Sequence, residues 1–232
     1  MPDPTIVILT GAGISAESGL GTFRDEGGLW ARHRIEDVAT PEGFGRDPDL
    51  VHRFYNARRA QAATARPNAA HRALARLQAA LPGAVHIVTQ NVDGLHEAAG
   101  AREVLHMHGR LDRALCGACA HRWPAPAEMH RSDPCPACGA AATRPDVVWF
   151  GEMPHGMERI WGLLESASLF VAIGTSGEVY PAAAFVEEAR ASGADTLELN
   201  LEPSSRISEF ARARFGPATE VVPAWVEELL AG

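Results

Sequence analysis

The chain has 232 residues, 46% hydrophobic and 22% charged, with a formal net charge of −8. That profile suits a globular chain of one large domain or one domain with an insertion, and it argues against general affinity for nucleic acid or anionic membrane. Apolar runs fall short of the ~20 residues of a membrane helix, and Met1-Pro2-Asp3-Pro4 lacks the basic and apolar parts of a signal peptide, so the expected location is cytoplasmic.

Thr5 to Thr10 is a β-branched, apolar run that suits a buried parallel strand. Gly11-Ala12-Gly13-Ile14-Ser15-Ala16 follows and fits the G-x-G-x-x-G/A pattern that opens a helix. Gly11 would allow the tight turn, and Gly13 would let backbone N–H groups approach a pyrophosphate. Plain strand-turn-helix packing is the alternative. The stretch Glu17 to Gly28 is glycine-rich and polar, with Phe23, Arg24 and Asp25 near its middle. It reads as a long loop, either a cofactor lid or a solvent loop. A dehydrogenase would place a second strand here, ending in an acid for the ribose, and none is evident.

Asp49 to Ala65 reads as a helix with Leu50, Phe54, Ala57 and Gln61 on one face. Tyr55 and Arg58 are neighbours on another face, where Arg58 and Arg59 also suit an exposed basic surface. A second helix, Asn68 to Leu81, buries Ala70, Leu74, Leu77 and Leu81, with Pro67 at its start. Val85 to Thr89 is the second buried strand. Gln90-Asn91-Val92-Asp93 follows at its C-terminal end, where open parallel sheets bind ligands. Asn91 or Asp93 would also serve to cap a short helix at Leu95 to Ala99. Glu103 to Met107 reads as a third strand, ending at His108-Gly109.

Cys116, Cys119, Cys135 and Cys138 form C-x2-C-x15-C-x2-C, a strong zinc signal. Four thiolates close a tetrahedral shell, so the metal is expected to be structural, and two disulfides are the weaker alternative. Few large apolar residues lie between Leu111 and Thr143, so metal would substitute for a core there.

Arg144 to Phe150 is expected to return the chain to the main sheet, ahead of a helix at Met157 to Ser166. Leu169 to Ile173 and Thr196 to Leu201 read as strands, Pro181 to Ala191 and Ser204 to Arg214 as helices. Thr219 to Val222 reads as a short strand before a last helix, Pro223 to Leu230. Alternating strands and helices predict an α/β fold, a doubly wound parallel sheet. Right-handed crossovers would bring Gly11 to Ser15, Gln90 to Asp93, Gly174 to Ser176 and Asn200 to Glu202 to one edge, a site for a dinucleotide. Asn200 or Glu202 would then serve the adenosine ribose.

GAGISAESGLGTFRD at 11–25, TQNVDGLH at 89–96, HG at 108–109, the paired knuckles, VVWFGEMP at 147–154, GTS at 174–176 and NLE at 200–202 together resemble the sirtuin family of NAD-dependent protein deacylases. The match spans essentially the whole chain. It implies a Rossmann-like domain (1–30, 67–110 and 145–232) and a smaller domain made of a helical insertion (31–66) and a zinc-binding module (111–144). NAD would be a consumed co-substrate lying between them. By resemblance its site comprises Gly11, Ala12, Gly13, Ser15, Ala16, Glu17, Thr22, Phe23, Arg24, Gln90, Asn91, Val92, Asp93, Gly174, Thr175, Ser176, Asn200, Leu201, Glu202 and Ala218. Ser15, Asn91 and Asp93 would surround the nicotinamide ribose, with Phe23 shielding the reacting face. The acyl oxygen would attack C1′ and expel nicotinamide, with His108 as general base, giving free lysine and O-acyl-ADP-ribose. From the residues alone His106 competes with His108, since both would lie on one strand face; the HG pair favours His108.

The resemblance further implies that an acyl-lysine protein adds as a strand beside Val148, Phe150, Gly151, Glu152 and Val179. Tyr55 and Arg58 resemble the Y-x-x-R of sirtuins that prefer succinyl- and malonyl-lysine, because a guanidinium grips a carboxylate with two hydrogen bonds. A mono-ADP-ribosyltransferase using the same NAD site is the alternative reading. A hydride-transferring dehydrogenase is disfavoured by the cysteine insertion and the missing ribose acid.

Overall fold

The computed structural model describes residues 5–21 and 33–231. The first half of the chain holds β1 (Ile6–Thr10), α1 (Gly13–Ala16), α2 (Ile35–Val38), α3 (Pro41–Arg46), α4 (Pro48–Thr64), α5 (Ala69–Ala80), β2 (Val85–Thr89), α6 (Leu95–Ala98) and β3 (Leu105–His106). Then follow β4 (Gly109–Cys116), β5 (Arg122–Pro124), β6 (Thr143–Val147), α7 (Met157–Ser166), β7 (Leu169–Ile173), α8 (Phe185–Ala191), β8 (Asp195–Asn200), β9 (Arg212–Phe215) and α9 (Ala218–Ala231). The six-stranded sheet runs β3-β2-β1-β7-β8-β9, and every pair in it is parallel. A separate antiparallel sheet runs β5-β4-β6.

The alternation of side chains along β1 divides the core. Ile6 and Ile8 face one way, with Leu74 and Leu77 of α5 and Val222, Trp225 and Val226 of α9. Val7 and Leu9 face the other way, with Ile160 and Leu164 of α7 and Phe185 and Val186 of α8. Helices on both faces explain why β1 reads as an unbroken apolar run. A third cluster joins α4 to the antiparallel sheet through Val51, Phe54, Tyr55, Leu111, Val147 and Trp149.

Several expectations are corrected. The residues 144–150 do not rejoin the main sheet: β6 pairs antiparallel with β4. The buried residues of α4 are Val51, His52, Phe54, Tyr55 and Arg59, while Ala57 and Gln61 are exposed. Arg59 therefore does not sit on a solvent face. The N-cap of α5 is Asn68, whose side chain accepts from the Ala70 and His71 N–H groups. The third strand shrinks to Leu105–His106.

The largest departure is at the C-terminus. A 3-10 turn (Ile207–Glu209) and the edge strand β9 replace the helix expected over 204–214. The Ala/Arg content favours helix locally, but pairing with β8 prevails. The Ala211 N–H donates to Thr196 Oγ1 and Arg212 pairs with Asp195, so partners distant in sequence hold β9. Thr219 to Val222 is the first turn of α9, not a strand. Glu17 accepts from both the backbone N–H and the hydroxyl of Thr219, which caps α9 from the far end of the chain.

Candidate functional site

The C-terminal ends of β1, β2, β7 and β8 open into a single cleft of about 960 Å³. This lies at the upper end of the ~300–1,000 Å³ usual for ligand sites. Its floor is the turn after β1. A Cβ on Gly11 would lie 2.7 Å from the Gly174 carbonyl oxygen, and one on Gly13 2.7 Å from Gly174 Cα. Gly174 itself takes φ +62° and a Cβ there would meet the Ile14 nitrogen at 2.5 Å. The glycines are thus required by contact between two loops of the protein itself, which leaves bare backbone facing the cleft. The helix that follows, α1, has only four residues, so its dipole is small and the floor's polarity comes from individual groups.

Those groups form a directed chain. Asn91 Nδ2 donates to the Gly11 carbonyl (3.0 Å) and to Ser15 Oγ (3.2 Å). Ser15 Oγ donates to Asp93 Oδ2 (3.1 Å), while Asp93 Oδ1 accepts from the Leu95 N–H (3.0 Å). Asp93 therefore holds the first N–H of α6, just ahead of its N-cap Gly94, and faces the cleft at once. Burial pushes its carboxyl pKa up, against the pull of these hydrogen bonds. Behind this chain lie two buried imidazoles, His71 and His96, with ring centroids 5.0 Å apart. His71 Nε2 is 3.4 Å from Ser15 Oγ, and His96 Nε2 is 3.0 Å from Thr10 Oγ1. Burial lowers the pKa of His71 to about 4 and of His96 to about 3, so both are neutral near pH 7.

His108 lines the cleft beside this cluster. Its Nδ1 lies 3.1 Å from the Gln90 carbonyl. A carbonyl only accepts, so Nδ1 carries the hydrogen and Nε2 keeps the lone pair. Burial lowers the pKa of the ring, which favours the neutral, basic form. Gly109 explains the HG pair: it has φ +80°, and a Cβ there would sit 2.1 Å from the Asp146 carbonyl oxygen. His106 faces elsewhere. It is buried, away from the cleft, with Nε2 2.8 Å from Glu97 Oε1 and Nδ1 3.1 Å from the Asn91 carbonyl.

The opposite wall comes from α4 and the segment after β6. Tyr55 is 1% exposed, and Trp149 Nε1 donates to its hydroxyl (3.1 Å). The Arg58 guanidinium carbon lies 5.7 Å from the Tyr55 ring centroid. Burial lowers the Arg58 pKa and raises that of Tyr55. Glu152 accepts two hydrogen bonds from Arg144 and one from the Trp149 N–H, so its carboxylate is fully engaged and what it offers a ligand is backbone. Phe150, exposed at 46%, marks the mouth.

The structure brings every described cleft candidate together. Gly11, Ala12, Gly13, Ser15, Ala16, Glu17, Gln90, Asn91, Val92, Asp93, His108, Gly174, Thr175, Ser176, Asn200, Leu201, Glu202 and Ala218 line the cleft, as do Tyr55, Arg58, Val148, Phe150, Gly151, Glu152 and Val179. Thr22, Phe23 and Arg24, with most of the expected lid, lie outside the described residues. Sequence reasoning missed Trp149 and Leu111, which also line the cleft. Both carry the ordinary signature of core residues, and only the fold turns them toward the cavity.

The four cysteines sit apart from the cleft. Their sulfurs lie within 4.8 Å of one another, with Cys116–Cys138 and Cys119–Cys135 each at 3.7 Å. A tetrahedron with zinc–sulfur bonds of about 2.3 Å has sulfurs about 3.8 Å apart, so the set fits zinc. The two knuckles repeat one geometry. The Ala118 and Ala137 N–H groups each donate to the first sulfur of their knuckle at 3.4 Å, and Ala120 and Gly139 close the turns at positive φ. The four sulfurs fill the shell, which makes the site structural.

A parallel sheet cleft paired with a four-cysteine module in this order defines a class of enzyme. Residues 11–181 match the Sir2 family, and the chain belongs to that family. It is 56% identical over 230 residues to an NAD-dependent protein deacylase of Caulobacter vibrioides, covering 97% of both chains. It is 55% identical over 235 residues to one of Escherichia coli K12, covering all of this chain and 84% of that one. Among solved structures it superposes on a Sir2 homologue–NAD complex with a TM-score of 0.89 at 37% identity, covering 97% of this chain and 90% of that one. A Sir2 variant bound to a deacetylated p53 peptide and 3′-O-acetyl ADP-ribose gives a TM-score of 0.83 at 28% identity, covering 97% and 93%.

Proposed function

We propose that this Sir2 enzyme removes acyl groups from protein lysines at the expense of NAD, yielding nicotinamide, O-acyl-ADP-ribose and free lysine. The observation that carries this reading is the convergence of His108, the Asn91–Ser15–Asp93 chain and the Tyr55–Arg58 wall on one cleft. NAD supplies the electrophilic ribose carbon. Around it, the bare backbone at Gly11 to Gly13 and Gly174 to Ser176 receives the phosphates, and Asn200 to Glu202 receives the adenosine ribose. Asn91 and Asp93 orient the nicotinamide ribose, and His108 takes a proton on Nε2. In this reading 31–66 and 111–144 form the smaller of two domains, and the peptide adds as a strand along 148–152 and Val179.

The acyl preference is for succinyl and malonyl groups, with acetyl also accepted. Trp149 occupies one acceptor position of the Tyr55 hydroxyl, so the phenol hydrogen is available to an acyl carboxylate that Arg58 also reaches. A buried charge needs such partners. One charged hydrogen bond contributes about 1.5–3 kcal/mol, roughly one to two powers of ten in kcat/KM. Arg58→Met is expected to cost about that factor on succinyl-lysine and much less on acetyl-lysine. The test is a panel of acetyl-, malonyl-, succinyl- and glutaryl-lysine peptides followed by mass spectrometry with and without NAD, alongside free nicotinamide. Label from NAD appearing on protein instead would point to ADP-ribosyl transfer. Equal losses on the two acyl groups would make Arg58 structural.

A further inference from the structure

Arg59 is next to Arg58 in sequence but has a different environment. It is 9% exposed, and its acceptors among the described residues are all neutral oxygens. Nε donates to the Pro126 carbonyl (3.0 Å) and the Ala127 carbonyl (3.3 Å), Nη1 to the Leu111 carbonyl (3.1 Å) and Nη2 to Asn56 Oδ1 (2.9 Å). Asn56 continues the junction. Its Nδ2 donates to the Met129 carbonyl and its Oδ1 accepts from the Met129 N–H, both at 3.0 Å, so the side chain pairs with that peptide as a strand would. Together they fasten α4 to the segment that links β5 to the second knuckle.

The same turn of α4 carries Tyr55 and Arg58 toward the cleft. Successive helix positions are rotated by ~100°, so Asn56 and Arg59 point to the cysteine module while Tyr55 and Arg58 point to the cavity. Neither set can shift without the other. Leu111, whose carbonyl Arg59 holds, also donates its N–H to the Val92 carbonyl (2.8 Å), inside the Asn91–Asp93 loop. One guanidinium thus links the acyl wall, through Leu111, to the Asn91–Asp93 loop of the same cleft.

We propose that Arg59, supported by Asn56, is a positioning residue for acyl selection: its fork on the Leu111, Pro126 and Ala127 carbonyls fixes the rotation of α4, and that rotation places Tyr55 and Arg58 on the acyl carboxylate. The proposal rests on the acidic-acyl reading above. Lysine gathers its three donors on one nitrogen and cannot reproduce the fork, and methionine makes none of its bonds.

The test compares Arg59→Met, Arg59→Lys and Asn56→Ala with the wild-type enzyme and with Arg58→Met. kcat and KM are measured on succinyl- and acetyl-lysine forms of one peptide at saturating NAD. Zinc per chain is measured by elemental analysis, and hydrogen exchange of residues 48–64 by mass spectrometry. Arg59→Met should lower the succinyl-to-acetyl ratio of kcat/KM by about tenfold, mostly through the succinyl KM, because small displacements of a gripping group are costly. Arg59→Lys should fall between wild type and Arg59→Met. Zinc should stay at one per chain while 48–64 exchanges faster. An unchanged ratio, equal losses on both peptides, or a loss of rate that tracks a loss of zinc would overturn the proposal. If Arg59→Met does not fold, Arg59→Lys and Asn56→Ala decide by the same ratio. A wild-type enzyme with no succinyl preference, unaltered by Arg58→Met, would remove the acidic-acyl reading and this proposal with it. The exchange data would still report separately whether the clamp holds α4.

Discussion

His108 meets the cleft with one nitrogen and the Gln90 carbonyl with the other, and its surroundings disfavour the charged ring. Burial lowers its pKa first, the backbone hydrogen bond opposes this, and the nearby His155 adds to the lowering. The sign is therefore fixed: the basic form persists to a lower pH than the ordinary 6.5. The acid limb of kcat/KM, which reports the free enzyme, should lie below pH 6.5, and His155→Gln should move it upward. His108→Ala should nearly abolish deacylation while NAD binding, measured by calorimetry, survives. Near-normal turnover would remove His108 as the base. At this scale the sequence was most informative where a motif has a steric cause. The HG pair and the glycines at 11, 13 and 174 are needed because backbone from elsewhere presses against them. His106 could not be separated from His108 by periodicity, because what distinguishes them is Glu97 on one side and an open cleft on the other.

Elements differ in how far away their causes lie. The cysteine knuckles were legible because each ligand set is local: two residues of spacing and one tight turn make half a metal site. Metal here takes the place of a core, so Cys116→Ser or Cys138→Ser should lower the melting temperature and only then the activity, as the module supporting α4 loosens. Elemental analysis finding no zinc in folded, active protein would rule this out. The first turn of α9 and the strand β9 are not legible locally, for the opposite reason. The cap of α9 comes from Glu17, and the register of β9 is set by β8, neither of which a local window contains. Glu17→Ala should cost about 1 kcal/mol, the usual worth of a helix cap, visible as a lower denaturation midpoint.

At the level of the whole molecule, the buried histidine pair makes stability depend on pH. Folding holds the pKa of His71 at about 4 and of His96 at about 3, against 6.5 when exposed. Because the folded values are depressed, the stabilisation is present above 6.5 and is lost as pH falls toward 4 and 3. Either histidine alone would withdraw about 2 kcal/mol between pH 7 and pH 5. Urea denaturation at both pH values measures this, and His96→Gln should flatten the slope; an unchanged slope would locate the acid sensitivity elsewhere. The parallel sheet, whose β1 the pair meets at Thr10, was legible from alternating strands and helices. The separate antiparallel sheet was not, because β4 is bulged and charged, β6 contains Pro145, and their pairing spans the cysteine module.

The order of elements also bears on dissection. The chain leaves the main sheet after β1 to build α2–α4, returns for α5, β2 and β3, leaves again for β4–β6, and returns for α7 onward. Four polypeptide connections therefore join the two regions, and β1, made first, is zipped between β2 and β7, made before and after the second excursion. A single nick in the 125–142 segment would leave two fragments that share one sheet and should co-purify. Two genes encoding those fragments should reconstitute the enzyme when expressed together, whereas neither excursion can be excised by one cut.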